Sequence, residues 1–265
     1  MNKITPYVVF ISTRSDFFMP TIYLSPSTQE FNLYNGGGTE EEYMNLIADA
    51  MIPYLNASGI SYVRNTPEMT AASSIAASNS GNYDLHLALH SNAAGTSNAG
   101  KIRGTEVYYA PNSINGQRAA DIIANNLKLI YPLPDRVRTV PTTTLGEVVK
   151  TKAPAVLIEY AYHDNYDDAE WIRNNVQTIA ENTVLSLADY FNIPFNIPSM
   201  VMKAKVDTPF GGNLNLRERP DLASPVIAQM PNGSPVTIYA SLPDWYMVQF
   251  KNKSGYAYSQ YIELV

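Results

Sequence analysis

A mostly parallel α/β sheet flanked by helices, followed by a small all-β barrel, is what the sequence predicts, on three observations. Apolar β-runs alternate with helical periodicities from Thr21 to about Phe191, as in chains of βα units. Two of those runs, Leu85–Leu89 and Pro154–Ile158, contain almost nothing but apolar residues, as strands buried on both faces do. Beyond Phe191 the texture changes to short strands separated by turn residues, among them Asn232-Gly233, Asp244 and Asn252-Lys253-Ser254-Gly255.

Thr21–Leu24 is the first strand, ended by Ser25-Pro26-Ser27-Thr28-Gln29. The loop Asn35-Gly36-Gly37-Gly38 leads to Thr39, an N-cap with Glu42 three residues on, which together form a capping box. Met44, Ile47, Ala48, Met51 and Leu55 follow at helical spacing, with Pro53 placed to kink the helix and Ser58-Gly59 to end it. Ile60–Arg64 is a second strand, and Pro67 opens a small-residue helix to about Ser78. A strand over 83–90 runs into a Gly/Ser/Asn loop, and Gly104–Tyr109 is another strand. Residues 115–130 form an amphipathic helix stopped by Pro132 and Pro134, and Arg138–Thr144 reads as a polar loop. Pro154–Glu159 is an apolar strand ending in a carboxylate, with one long helix over roughly 167–191. Pro194 and Pro198 mark a linker. The expected division is an extension over 1–18, a first domain over 19–192, a linker over 193–202 and a barrel over 203–265.

The chain of 265 residues has no cysteine. That excludes disulfides, thiolate catalysis and cysteine-held zinc, so any metal site has to use His, Asp and Glu. Residues 1–199 hold 12 lysines and arginines against 19 carboxylates, a balance of −7. An acidic first domain argues against nucleic acid, which selects a basic face. No apolar run is long enough for a membrane span, and Tyr7–Ile11 is too short for a signal peptide. The expectation is a chain that stays cytoplasmic until it is released or exported by another route.

Two of the three histidines lie in Tyr83–Ala93, and His90 falls where that apolar run meets Ser91-Asn92. The C-terminal ends of parallel strands are where such sheets place their chemistry. Glu40 opens a helix and Glu159 ends another strand, so a parallel sheet lets all three meet. Each has a plainer reading: a histidine satisfied in the core, or a glutamate favoured by a helix dipole. Together they suit metal-assisted hydrolysis, in which His and Glu hold the ion and a free carboxylate moves the proton. His86, on the same strand face as His90 but ~13 Å along it, is too far away to share one ion with it.

Leu89-His90-Ser91-Asn92-Ala93, then Gly104-Thr105-Glu106-Val107-Tyr108-Tyr109, then Ala155-Val156-Leu157-Ile158-Glu159-Tyr160-Ala161-Tyr162-His163-Asp164-Asn165 resemble the zinc-dependent N-acetylmuramoyl-L-alanine amidases of phage endolysins and autolysins. The resemblance spans about 21–192. Leu214–Pro220, Pro231-Asn232-Gly233, Asp244-Trp245-Tyr246 and Gly255-Tyr256 resemble a bacterial SH3 domain over 203–265. The resemblance implies a peptidoglycan hydrolase acting at the bacterial cell wall. Its metal ligands would be Glu40 (with Glu41 and Glu42 as neighbouring rivals) and His90, and its catalytic carboxylate Glu159. The substrate would be the glycan strand with its stem peptide, the cofactor Zn2+, and no membrane would be involved. The family's further histidine, in the turn after the first strand, falls on Thr28. His163, with Asp164 as a weaker rival, is the candidate to replace it as a metal ligand. Arg138 is a candidate to steer the acidic stem peptide. An amidase fold that has lost its metal and only binds the wall is the alternative expectation.

Overall fold

The computed structural model describes residues 19–198, 202–242, 244–251 and 253–265; the expected extension over 1–18 lies outside them. The first sheet has six strands in the order β2-β1-β3-β6-β4-β5. They are β1 (Thr21–Pro26), β2 (Ser61–Arg64), β3 (Leu85–Asn92), β4 (Thr105–Tyr109), β5 (Val137–Pro141) and β6 (Ala155–Tyr162). Every neighbouring pair is parallel except β4 and β6. That one reversal brings the first half of β4 alongside the C-terminal end of β6.

Three helices cover one face of the sheet: α1 (Glu40–Ala57), α3 (Ile114–Leu127) and α6 (Val176–Phe191), with α6 packed on both others. The strands direct alternate residues into this layer, as a period of two requires. Leu85, Leu87, Leu89, Val156, Ile158 and Val107 join the main apolar core, while Ala88, Leu157 and Tyr108 belong to a small cluster with Val148 on the opposite face. That second face is covered by two short helices in contact with each other, α2 (Ala71–Ser80) and α4 (Gly146–Val149). His86 and His90 share the parity of Ala88, and Glu159 that of Leu157. All three therefore belong to this thinly covered face.

Thr39 caps α1 through a reciprocal capping box with Glu42. Pro53 lies inside α1 without ending it, and the chain turns at Ser58-Gly59, where Gly59 has φ +72°. The expected long helix over 167–191 is two helices, α5 (Tyr166–Asn174) and α6, broken at Asn175. The stretch expected to be a polar loop from Arg138 contains the edge strand β5.

Seven antiparallel strands follow: β7 (Met202–Val206), β8 (Leu214–Arg217), β9 (Val226–Met230), β10 (Pro235–Leu242), β11 (Trp245–Phe250), β12 (Lys253–Tyr258) and β13 (Ile262–Leu264). Their interior is a separate core including Val206, Leu216, Ile238 and Val248. The alternate residues Trp245, Met247 and Tyr256 pack into the core of the first domain, and the Tyr256 hydroxyl donates to Asp49 on α1.

Candidate active site

β3 runs into the site fully buried and ends in Ser91-Asn92. His90 accordingly stands where the buried apolar run meets the polar end of the strand. Its Nδ1 lies 2.8 Å from Glu40 Oε1 and its Nε2 3.0 Å from Glu147 Oε2. A carboxylate only accepts, so the ring donates to both. Burial opposes the charge on this imidazole, but Glu147 and Glu40 outweigh it and hold its pKa well above the ordinary value.

Glu40 is buried at the first position of α1, where the helix N-terminus favours an anion. Its other oxygen accepts from Asn32 Nδ2 at 2.5 Å. Burial pushes its pKa up, and the hydrogen bond and charge of His90 bring it below the usual value. Glu41 and Glu42, the rivals considered from sequence, face elsewhere: they line a pocket with Arg219 and Glu218 of the barrel.

Glu147, on α4, is buried among partners. Besides His90 it accepts from His86 Nε2 at 3.3 Å and from Ser25 Oγ at 2.5 Å. Burial alone would raise its pKa, but the bonds from His86 and His90 bring it down to about 2. His86 is enclosed, stacked on Tyr23 and hydrogen-bonded to Ser78 Oγ. It thus supports His90 through Glu147.

Glu159 pairs with His90 in register across β3 and β6. Its Oε2 is enclosed and has no hydrogen-bond partner. Burial pushes the carboxyl up to about 8; the charge of His90 opposes this, and those of Glu40 and Glu106 add to it. A buried polar atom without a partner is uncommon in native structures and points to a group that it is built to meet.

His163 is placed differently. Its Nδ1 donates to the Ser91 carbonyl at 2.9 Å, and its ring stacks on Tyr34. Asp164 accepts from the backbone of Ala94 and Gly100. Among the described residues no group of three or more His, Asp or Glu is arranged to hold a metal ion, so His163 is not brought into such a group with Glu40 and His90. Gln29, one residue after Thr28, reaches His90 instead, with its amide nitrogen 3.4 Å from His90 Nδ1 and its oxygen accepting from Asn32.

Glu40 and His90 nevertheless fit two places of a metal site. A ligating histidine typically gives its other N–H to a carboxylate, which fixes the ring. Glu147 does this at Nε2 and turns Nδ1 toward Glu40. Nδ1 must give up its proton to become a metal ligand, so metal uptake would release one. The partnerless oxygen of Glu159 stands in the next strand.

A profile described as N-acetylmuramoyl-L-alanine amidase matches residues 28–189, more than half of the chain. The chain belongs to the N-acetylmuramoyl-L-alanine amidase family. A second profile, bacterial SH3 domain, matches residues 212–263. This amidase shares its fold with solved structures. The amidase AmiC2 of Nostoc punctiforme is 17% identical with a TM-score of 0.57, over 66% of this chain and 98% of that one. The catalytic domain of the CD27L endolysin targeting Clostridia difficile is 20% identical with a TM-score of 0.53, over 64% and 97%. Cwp6 from Clostridium difficile is 24% identical with a TM-score of 0.56, over 64% of this chain and 29% of that one. No curated protein sequence matches the amidase. It is a peptidoglycan hydrolase with a C-terminal bacterial SH3 domain, and no helix among its described residues is long and apolar enough to cross a membrane.

Glu147, Gln29 and Asn32 were not anticipated from sequence. Glu147 left a faint signal: it is the one charge in Leu145-Gly146-Glu147-Val148-Val149, and a lone carboxylate in an apolar stretch costs energy unless it is partnered.

Proposed function

We propose that this amidase is zinc-dependent, that Glu40 and His90 hold the metal, and that Glu159 moves the proton. The bond broken is the amide between N-acetylmuramic acid and the L-alanine of the stem peptide. Zinc, when bound, polarises the carbonyl and makes water a nucleophile near neutral pH. The observation that carries the reading is the convergence of three side chains from three elements: Glu40 on Nδ1 of His90, and Glu159 beside His90 on the neighbouring strand.

Glu159 suits the proton-transfer role. Its enclosed oxygen has no competing partner, and its affinity for a proton is tuned close to neutrality. It takes a proton from the attacking water and gives it to the departing L-alanine amine. Glu147 keeps the His90 ring from turning, and His86 and Ser25 keep Glu147 in place. The SH3-like barrel binds the wall and raises the effective concentration of substrate at the cleft.

The test combines metal content with release of L-alanine amino groups from purified peptidoglycan. Bound zinc, release by the wild type and none by Glu159→Gln are expected. His163 is the candidate third ligand, and loss of metal in His163→Ala, with His86→Ala retaining it, is the outcome that would place it beside Glu40 and His90. Thr28, standing where the family has a histidine, favours a second reading in which the fold only binds the wall. No metal and no release would establish that reading instead.

A further inference from the structure

Four side chains stand in one register row across the sheet. His90 pairs with Glu159, Glu159 with Glu106, and Glu106 with Arg138, on β3, β6, β4 and β5 in turn. Register partners share a face, so the row runs across one face of the sheet as imidazole, carboxylate, carboxylate and guanidinium, from the buried His90 to the exposed Arg138. With strands ~4.8 Å apart, Arg138 is two strands, or ~10 Å, from the Glu159 backbone and ~14 Å from that of His90.

Arg138 is built into this row. Its Nε donates to Glu106 Oε1 at 2.9 Å, and its Nη2 donates to the same oxygen. The other oxygen of Glu106 accepts from Asn92 and from the Tyr108 hydroxyl. Glu106 is buried, whereas the Arg138 side chain is 68% exposed. A guanidinium carries five N–H donors in a rigid fork. The ion pair therefore aims the head group, and among the described residues Nη1 has no hydrogen-bond partner, where an isolated surface arginine would swing freely.

We propose that Arg138 is a specificity residue: its free donors take a carboxylate of the stem peptide one or two residues beyond the scissile amide. This rests on the amidase reading of Glu40, His90 and Glu159. An extended peptide advances ~3.4 Å per residue. From a carbonyl seated between His90 and Glu159, the second residue of the peptide lies ~7 Å on, and its carboxylate reaches the guanidinium as that leans from β5 toward Glu106. The row thus measures the substrate, with bond cleavage at one end and a cation for an acidic residue at the other.

The probes are N-acetylmuramoyl-L-alanyl-D-glutamate and its diamide, which differ in charge at the second residue. Wild-type cleavage should favour the acid by about tenfold, through KM rather than kcat, as one charge-assisted hydrogen bond provides. Arg138→Ala should bring that ratio close to one, and Arg138→Lys should restore part of it. A ratio in Arg138→Ala equal to that of the wild type, or no wild-type preference, overturns the proposal. So does an equal fall on both probes, which would confine Arg138 to holding Glu106. Calorimetric binding of both probes to Glu159→Gln, with and without Arg138→Ala, reads the same ratio without turnover. If the wild type cleaves neither probe while binding still depends on Arg138 and on charge, the amidase reading fails and the carboxylate site stands.

Discussion

The two sides of His90 carry the same functional group in opposite conditions. On the α4 side, Glu147 accepts from two imidazoles and a serine and is held at about 2. On the β6 side, the enclosed oxygen of Glu159 meets nothing, with two other carboxylates near by, and the group is pushed up to about 8. Both feel desolvation; partners decide the outcome. A satisfied carboxylate serves as a fixed point, and an unsatisfied one is available to exchange a proton. Division of labour around this imidazole therefore follows from hydrogen-bond supply rather than from residue type.

The largest expected effect comes from the unsatisfied side. Glu159→Gln keeps shape and removes the exchangeable proton, so turnover of peptidoglycan should fall by ~10²–10⁴-fold with the fold and wall binding unchanged. Hydrolysis assays beside circular dichroism check both halves. Glu147→Ala should do the reverse. It leaves two buried histidines and Ser25 without their acceptor, and breaking a buried pair from one side costs ~3–5 kcal/mol. Denaturant midpoints should show that loss, and Glu147→Gln should recover part of it. A Glu147→Ala protein as stable as the wild type would break the comparison.

The pH dependence of stability separates the two groups again. Glu159, raised from 4.5 to about 8, binds a proton in the folded state that the unfolded chain has released. Its contribution is complete below 4.5 and is lost as pH rises through 8. Glu147, lowered to about 2, contributes above 4.5 and loses that contribution as pH falls through 2. His90, raised from 6.5, adds a loss in the same direction as Glu159 only above 6.5. Metal-free protein should therefore lose stability with rising pH between 4.5 and 6.5, where Glu42, which burial and Glu218 also push up to about 8, adds to Glu159, and Glu159→Gln should reduce that slope without abolishing it.

What could be read in advance follows the same division. β3 and β6 were legible because strands buried on both faces are apolar along their length, and α1 because its cap and spacing agree. Glu40, His90 and Glu159 were legible as polar residues at the ends of such elements. β5 was not, because an edge strand with one covered face tolerates Arg138, Thr139 and Pro141. Glu147 sits on a helix of four residues, too short for any periodicity. The break at Asn175 escaped notice because apolar spacing continues into Val176 and Ile179. The antiparallel step from β6 to β4, which brings Glu106 and Arg138 to the site, has no local sequence signal, since strand direction is set by tertiary pairing.

Glu40 touches both sides of the comparison, and this gives the smallest and sharpest test. It clamps His90 from the side opposite Glu147 and is one of the charges that raise Glu159. Its position depends on the first turn of α1, which Thr39 closes by accepting from the Glu42 backbone at 3.1 Å. Thr39→Ala removes that cap at a cost of ~1 kcal/mol without touching any group of the site. A frayed first turn loosens Glu40. Metal affinity should then weaken, and the pH at which Glu159 exchanges its proton should move down as the Glu40 charge becomes less closely placed. The Glu147 side, anchored through β3, α4 and Ser25, should keep its hydrogen bonds. Metal titration and the pH profile of hydrolysis measure both quantities in one variant. A profile that stays in place while metal affinity falls would mean that burial, with His90 and Glu106 but without Glu40, sets the proton affinity of Glu159.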